Sequence, residues 1–245
     1  MNLLTLFLTG PLPMPAAIPW FEKLHETFIV NDRYKMLIEG FRNTILITLG
    51  ALAIGLVIGT LIAVVKYLSE DAPNLRCAAA ICDVYLTVIR GIPMVVLLLI
   101  FFYIIFSHAK NGIPVAIIAF GVNSGAYMAE LIRSGINAVD GGQMEAGRSL
   151  GMSRLQTMRV VILPQAIRYI LPAIFNELIA LLKETSVAGY VAVVDLTRAA
   201  NLIRNNTYDA VNTLFLVAVV YLTMVIVLEQ ILKKLERRLR RGDKR

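Results

Sequence analysis

The chain of 245 residues is poor in the residue types that most catalytic and metal sites require. Its two histidines, His25 and His108, both lie outside the long apolar stretches, so neither a catalytic triad nor a metal cluster is expected. Its two cysteines, Cys77 and Cys82, lie in an apolar run without a neighbouring histidine or acidic cluster, which favours packing over a metal or redox pair. The sequence has no Gly-x-x-x-x-Gly-Lys-[Ser/Thr] loop, so we do not expect this chain to hydrolyse ATP.

Charged residues are also scarce, at 17%, whereas 58% of the residues are hydrophobic and occur in blocks. Soluble domains contain about 45–50% apolar residues, so the pattern predicts an all-α protein of the lipid bilayer. Five apolar stretches predict five transmembrane helices, at residues 44–65, 77–106, 113–132, 166–182 and 210–228. We expect Pro93 to kink the long second helix, which a tilt would accommodate in the bilayer.

The distribution of positive charge predicts the orientation of these helices. Lysine and arginine are concentrated in the tail at 233–245 and in the segment after the third stretch. Cytoplasmic loops carry such an excess, and an odd number of spans places both clusters on one side. We therefore expect a cytoplasmic C-terminus, an extracytoplasmic segment at 1–40 and a transmembrane domain at 41–232. Within that domain, the pair Gly55-x-x-x-Gly59 predicts a close helix approach, and a second Gly-x-x-x-Gly pair lies at 121–125.

The segment from Glu145 to Pro164 carries four arginines between two apolar stretches. It predicts a short helix at 145–150, a break at Gly151, and a second helix that Ser153 caps. We expect Pro164 to stop or kink this second helix, because proline has no N–H for the helical ladder. The segment could therefore be a helical module that docks on a soluble partner. It could also be an ordinary loop, or a membrane-tethered helix–turn–helix that reads DNA.

The segments Glu145-Ala146-Gly147, Gly151 and Val161-Ile162-Leu163-Pro164 resemble, in spacing, the EAA loop of ABC-importer permeases. Gly147 replaces the second alanine of that pattern and Val161 replaces its isoleucine. The segments at 90–93, 123–136, 142–143 and 182–186 are similar to the polar amino-acid uptake branch of the family.

This resemblance implies a type I ABC importer permease in the bacterial cytoplasmic (inner) membrane, which translocates a polar amino acid. It implies two ABC ATPase subunits, a second permease subunit in a homo- or heterodimer, and an extracytoplasmic amino-acid-binding protein. ATP and Mg²⁺ would bind the ATPase partner and not this chain, and no nucleic acid is implied. The EAA-like loop, taken as 140–164, would couple the chain to the ATPase. The coupling residues implied are Glu145, Ala146, Gly147, Arg148, Leu150, Gly151 and Pro164.

Four polar residues of the third stretch, Asn123, Ser124, Tyr127 and Glu130, are candidates for the translocation pathway. Asn123, Tyr127 and Glu130 recur at helical spacing, and polar groups inside a bilayer usually face the bundle interior. The alternatives are a hydrogen-bonded pair that only fixes packing, or a position of Glu130 at the cytoplasmic interface.

Polar residues also interrupt the short fourth stretch and follow it, which indicates a possible site near the midplane. A zwitterionic amino acid needs a cation for its carboxylate, which Lys183 or Arg90 could supply. Its ammonium group needs acceptors, which Glu177 or Glu184 could supply, and Asn176 lies beside them. Structural contacts of Lys183 with Glu184, or of Arg90 with Asp83, are the alternative.

Two other functions stay open. A secondary amino-acid transporter would need no ATPase, and we see no inverted internal repeat of the kind that such proteins show. A membrane-anchored regulator would need a DNA-reading module, but the flanking spans leave the segment at 145–164 little freedom to reach a groove.

Overall fold

The computed structural model describes residues 20–241, and this part of the chain contains helices and no strand. The α-helices are α1 (Trp20–Leu24), α2 (Tyr34–Ser69), α3 (Arg76–Gly91), α4 (Met94–Ile100), α5 (Gly112–Asn137), α6 (Gly142–Ser149), α7 (Arg154–Thr157), α8 (Leu163–Glu184), α9 (Leu196–Thr207) and α10 (Ala210–Arg241). Turns of π-helix lie at His25–Ile29, Phe101–Ile105 and Met158–Ile162, and 3₁₀ turns at Val30–Asp32, Pro73–Leu75 and Thr185–Val191.

Four helical runs are long and apolar enough to cross a membrane: Tyr34–Ser69, Gly112–Asn137, Arg154–Val191 and Ala210–Leu239. The bent pair Pro73–Gly91 and Met94–Ile105 makes a fifth when it is counted as one span. The predicted all-α membrane fold with five spans is therefore confirmed. The first helix is longer than predicted, and α10 continues into the basic tail that was predicted as a separate segment.

The second span differs from the single tilted helix that we predicted. The direction of the chain bends by 109° between its two halves, so the prediction of a single tilted, kinked helix is wrong. Ile92 (φ −98°, ψ 129°) and Pro93 (φ −57°, ψ 137°) both leave the helical region. The proline ring pushes its preceding residue out of the α conformation, and two successive extended residues turn the chain sharply. The bend lies where Pro93 predicted it, but it is far larger than a kink.

The centre of the fold is the pair α2 and α5, the most extensively packed helices of the described chain. The pair at 55–59, for which we predicted a close approach, and the pair at 121–125 both lie in this interface. A Cβ atom on Gly59 would lie 2.5 Å from the Cβ of Met128, and one on Gly121 would lie 2.7 Å from the Cβ of Ile54. The predicted close approach is confirmed, because only glycine lets the two backbones come this near.

The N-terminal part of α2 contacts the segment that connects α8 to α10. We call this segment the hairpin segment (Thr185–Asp209). The Asn43 side-chain amide donates to the Val194 carbonyl at 2.9 Å, and the Leu196 N–H donates to the Thr44 hydroxyl at 3.1 Å. Within the hairpin segment, a 3₁₀ turn ends at Val191 and α9 begins at Leu196.

The opposite end of α2 contacts the segment of α6 and α7, which we call the α6–α7 loop (Gly142–Thr157). Arg154 at the start of α7 forms ion pairs with Glu70 and Asp71 just after α2. The described N-terminal residues lie at the other end, since the Thr27 hydroxyl donates to Asp209 at 2.8 Å. The hairpin segment and the α6–α7 loop therefore lie at opposite ends of α2. The extracytoplasmic prediction for 1–40 falls partly on residues outside the described range.

Candidate functional site

The α6–α7 loop is built around a tight turn that Gly151 makes possible. The Met152 N–H donates to the Gly147 carbonyl at 3.1 Å, and the Gly151 N–H donates to the Arg148 carbonyl at 3.0 Å. This pair of bonds is the Schellman pattern that ends many helices, and it needs a residue with positive φ. Gly151 has a φ of +85°, a value that other residues rarely adopt. The predicted break at Gly151 is confirmed.

Ser153 begins the second helix of this loop, as predicted. The Gln156 N–H donates to the Ser153 hydroxyl at 3.2 Å, and the Ser153 N–H donates to the Gln156 side chain at 2.8 Å. This reciprocal capping box satisfies two donors that a helix start leaves free. The turn is thus fixed on both sides by local hydrogen bonds.

Pro164 does not stop the helix that Ser153 begins, so the prediction of a stop at Pro164 is wrong. The chain passes from α7 through the π turn Met158–Ile162 directly into α8, within one apolar run. The Leu163 N–H bonds to the Met158 carbonyl, five residues back. Pro164 therefore lies in the first turn of α8, where its missing N–H disturbs the helix least.

Most of the predicted coupling residues point to the outside of the chain. Glu145, Ala146, Arg148 and Pro164 are exposed, and Leu150 has 83% of its surface exposed. Among the described residues Leu150 is one of the most exposed large apolar side chains. Within the described chain these residues are therefore accessible to a partner.

Gly147 is the buried member of this set, and its position explains why alanine is absent there. A Cβ atom on Gly147 would lie 2.8 Å from the Thr157 hydroxyl oxygen and closer still to the Thr157 methyl group. The helices α6 and α7 therefore cross in contact at Gly147 and Thr157.

Sequence reasoning missed Arg154, whose ion pairs connect the α6–α7 loop to the end of α2. Nothing in the local pattern separates Arg154 from the other arginines of its segment. The available signal was the adjacent acidic pair, Glu70 and Asp71, at the end of the first span.

Two of the pathway candidates meet near the middle of the bundle. The Ser124 hydroxyl of α5 donates to a carboxylate oxygen of Glu177 in α8 at 3.1 Å. Ser124 is fully buried, and Gly55 of α2 packs directly against it. All three residues lie near the midpoints of their helices, so the pair lies close to the bilayer midplane in a spanning bundle.

A second group of candidates forms a charged cluster nearer to the α6–α7 loop. Glu130 pairs with Arg133 at 2.5 Å and with Arg90 at 3.8 Å. The Arg90 guanidinium also lies over the Tyr127 ring, 5.7 Å from its centroid. The three predicted residues Arg90, Tyr127 and Glu130 are therefore brought together.

This cluster lines an open cleft of about 590 Å³ between α2, α3 and α5. Lys66 and Asp83, which form an ion pair with each other, complete its charged wall. The alternative contact of Arg90 with Asp83 is not formed, because each residue pairs with a different partner.

The remaining candidates are not part of either group. Asn123 is buried in α5, whereas Asn176, Lys183 and Glu184 are exposed on or after α8. Lys183 and Glu184 form no ion pair with each other within 4 Å in the described chain, so their alternative structural contact is also absent.

Two buried carboxyl groups stabilise the hairpin segment, Asp195 within it and Asp209 where it meets α10 and the N-terminal residues. Burial raises the pKa of Asp195 to about 6, although the Thr197 and Arg198 N–H groups donate to it as the cap of α9. Burial alone would raise the pKa of Asp209, but hydrogen bonds from Asn212 and Thr27 lower it below the usual value. Both groups therefore serve the fold at the end opposite to the α6–α7 loop.

Comparison with protein families matches residues 55–241 to the binding-protein-dependent transport system inner membrane component. The glutamine transport system permease protein GlnP of Escherichia coli strain K12 is 37% identical over 210 residues. That match covers 84% of this chain and 93% of the relative. The arginine transport system permease protein ArtQ of Bacillus subtilis strain 168 is 34% identical, covering 84% and 94% of the two chains.

Solved structures agree with this assignment. One solved structure, described as an amino acid ABC transporter with histidines, is 37% identical to this chain and has a TM-score of 0.78. The match covers 86% of this chain and 98% of the chain in that structure. The MetNI methionine ABC transporter is 22% identical with a TM-score of 0.73, and this likeness shows the fold alone. With a family match over most of its length, the chain belongs to the binding-protein-dependent transport system inner membrane components, the permease subunits of ABC importers.

Proposed function

We propose that this chain is the membrane subunit of an ATP-driven importer for a polar amino acid. The relatives GlnP and ArtQ are named for transport of glutamine and arginine, which are both polar. The observation that carries the proposal is the exposed α6–α7 loop, which matches the coupling loop of such importers in spacing and presents Leu150 outward. The chain itself hydrolyses no ATP in this scheme.

Two ATPase subunits would bind ATP and Mg²⁺ and would dock on the α6–α7 loop. Leu150 and Ala146 provide an apolar contact, Glu145 meets a basic group of the ATPase, and Arg148 lies at the rim of the contact. Gly151 and the capping box at Ser153 fix the angle at which α6 enters the ATPase groove. A second permease subunit and an extracytoplasmic amino-acid-binding protein complete the assembly.

The proposed orientation places the α6–α7 loop in the cytoplasm of a bacterium and residues 20–33 outside its inner membrane. The positions of the hairpin segment and the α6–α7 loop at opposite ends of α2 support it. Helix α10 starts beside the N-terminal residues at Asp209, and its 32 residues extend about 48 Å. Since the hydrocarbon core is about 30 Å thick, its basic end would reach the cytoplasm.

The translocation pathway would use the two polar groups of the bundle. Glu177, held by Ser124 near the midplane, offers an acceptor for the ammonium group of an amino acid. Arg90 offers a donor for the carboxylate in the charged cleft, beside Glu130 and Tyr127. Closure of the ATPase subunits would move the helices and open these groups to one side at a time.

The test is uptake of radiolabelled amino acids by proteoliposomes that contain the chain, its ATPase and its binding protein. Uptake should need ATP, and Glu145→Lys should abolish it and release the ATPase while the chain stays inserted. The matched control is Tyr208→Lys, a charge gain at a position that is 93% exposed at the opposite end. ATP-independent uptake driven by an ion gradient would overturn the proposal in favour of a secondary transporter.

A further inference from the structure

Arg154 attaches the α6–α7 loop to α2, a helix that is not adjacent to this loop in the sequence. The loop follows α5 and precedes α8, whereas α2 lies more than 80 residues earlier in the chain. Arg154 binds Glu70 through one guanidinium nitrogen and Asp71 through the other, at 2.6 Å for Asp71. One side chain therefore links two acidic groups at the end of α2.

The contact is reinforced by an aromatic ring. The Arg154 guanidinium lies over the Tyr67 ring, 4.8 Å from its centroid, and the Tyr67 hydroxyl lies 3.4 Å from the Arg154 carbonyl oxygen. Tyr67, Glu70 and Asp71 are spaced i, i+3 and i+4, so they can all reach a single partner. Only 26% of the Arg154 side chain is exposed, in contrast to the outward-facing Leu150.

The direction of these contacts separates two functions within one loop. Glu145, Arg148 and Leu150 of α6 and the turn are exposed, where a partner can bind them. Arg154, five residues after Ser149, points back into the chain and holds α2. Since α2 is also the helix most extensively packed on α5, a displacement of α7 would move the central pair of the bundle.

We propose that Arg154 is a positioning residue that transmits movement of the α6–α7 loop to α2. This proposal rests on the proposed function, since it assumes that the ATPase moves the loop. The guanidinium is suited to this task because it binds two carboxylates and stacks on a ring at once, which an ammonium group does not do.

The experiment measures the number of ATP molecules hydrolysed per amino acid imported by the reconstituted complex. The variants are Arg154→Glu, Arg154→Lys, and the triple exchange Arg154→Glu with Glu70→Arg and Asp71→Arg. The control is Arg76→Glu, an equal charge reversal at the start of α3 beside the same turn; Arg76 is exposed and has no ion pair in the described chain. If Arg154→Glu does not accumulate, Glu70→Gln with Asp71→Asn removes the charge of both ion pairs and leaves Arg154 in place.

We expect Arg154→Glu to keep its ATPase bound and hydrolysing while import falls. Variants in such coupling networks change coupling by about 2- to 30-fold, so the ratio of ATP to amino acid should rise within that range. Arg154→Lys should give an intermediate ratio, the triple exchange should lower the ratio again, and Arg76→Glu should match the wild type.

An unchanged ratio in Arg154→Glu, or no recovery in the triple exchange, would overturn the proposal. Loss of ATPase binding in Arg154→Glu would also overturn it, because Arg154 would then belong to the docking surface. Failure of the wild-type chain to bind any ATPase would instead overturn the proposed function. The two failures are therefore distinguished by the wild-type complex.

Discussion

Replacement of Gly151 tests whether the shape of the α6–α7 turn, and not only its composition, matters for ATPase binding. Gly151 has a φ of +85°, and no atom outside its neighbours lies within 4 Å of the position that a Cβ would take. Gly151→Ala therefore creates no clash. It adds only the conformational cost of a left-handed L-residue, about 1–2 kcal/mol.

This cost makes the observed turn about 5- to 30-fold less favoured relative to other conformations of the loop. If the ATPase binds only the observed turn, its affinity falls by up to the same factor. Gly151→Asn is the matched control, because asparagine tolerates positive φ better than alanine although its side chain is larger. Gly151→Arg adds bulk and charge at the docking surface and should abolish import.

The assay is titration of the ATPase against the chain in lipid nanodiscs, with import measured in parallel. The expected order of affinity is wild type, Gly151→Asn, Gly151→Ala and then Gly151→Arg, with equal membrane insertion throughout. Wild-type affinity in Gly151→Ala, or a larger loss in Gly151→Asn than in Gly151→Ala, would refute the argument from backbone conformation.

Three further predictions concern the bundle. Glu177→Gln should keep the hydrogen bond from Ser124 but raise the KM of import by about tenfold or more, because a charged acceptor is lost. An unchanged KM with normal assembly would remove Glu177 from the pathway. Gly59→Leu should lower the free energy of unfolding by about 1–3 kcal/mol or more, because the leucine side chain would clash with Met128 and with the backbone of α5. An unchanged unfolding temperature in detergent would contradict this. Asp195 has a folded pKa of about 6 against 3.8 for the free side chain, so its contribution favours the fold below pH 4 and is lost as pH rises through 6. Asp195→Asn removes this titration but keeps only one of the two capping oxygens, so it should give a flatter profile of unfolding temperature between pH 4 and 7. A profile parallel to the wild type would disprove this.

Features that depend on neighbours in sequence could be predicted. The cap at Ser153 and the break at Gly151 follow from the chemistry of a few adjacent residues, and both are present. The apolar lengths predicted the spans, because the thickness of the hydrocarbon core sets the length of a crossing helix. The glycine pair at 55–59 predicted a close helix approach, and the structure shows that α5 is the helix that approaches it.

Features that depend on distant partners could not be predicted. The size of the bend at Pro93 depends on what α3 and α4 pack against, whereas the proline fixes only its location. Pro164 was misjudged because a π turn before it lets the chain enter α8 with the proline in the first turn. The link from Arg154 to Glu70 joins residues 84 positions apart, and no periodicity marks such a pair.

The most direct test of the account is photo-cross-linking from Leu150 in the assembled complex. A photoreactive amino acid at position 150, at the most outward part of the α6–α7 loop, should capture the ATPase subunit. The same group at Tyr208, which is also strongly exposed but lies at the hairpin segment, should not capture it. Capture of the ATPase from position 208, or its absence at position 150 in a complex that imports amino acids, would contradict the assignment of the loop.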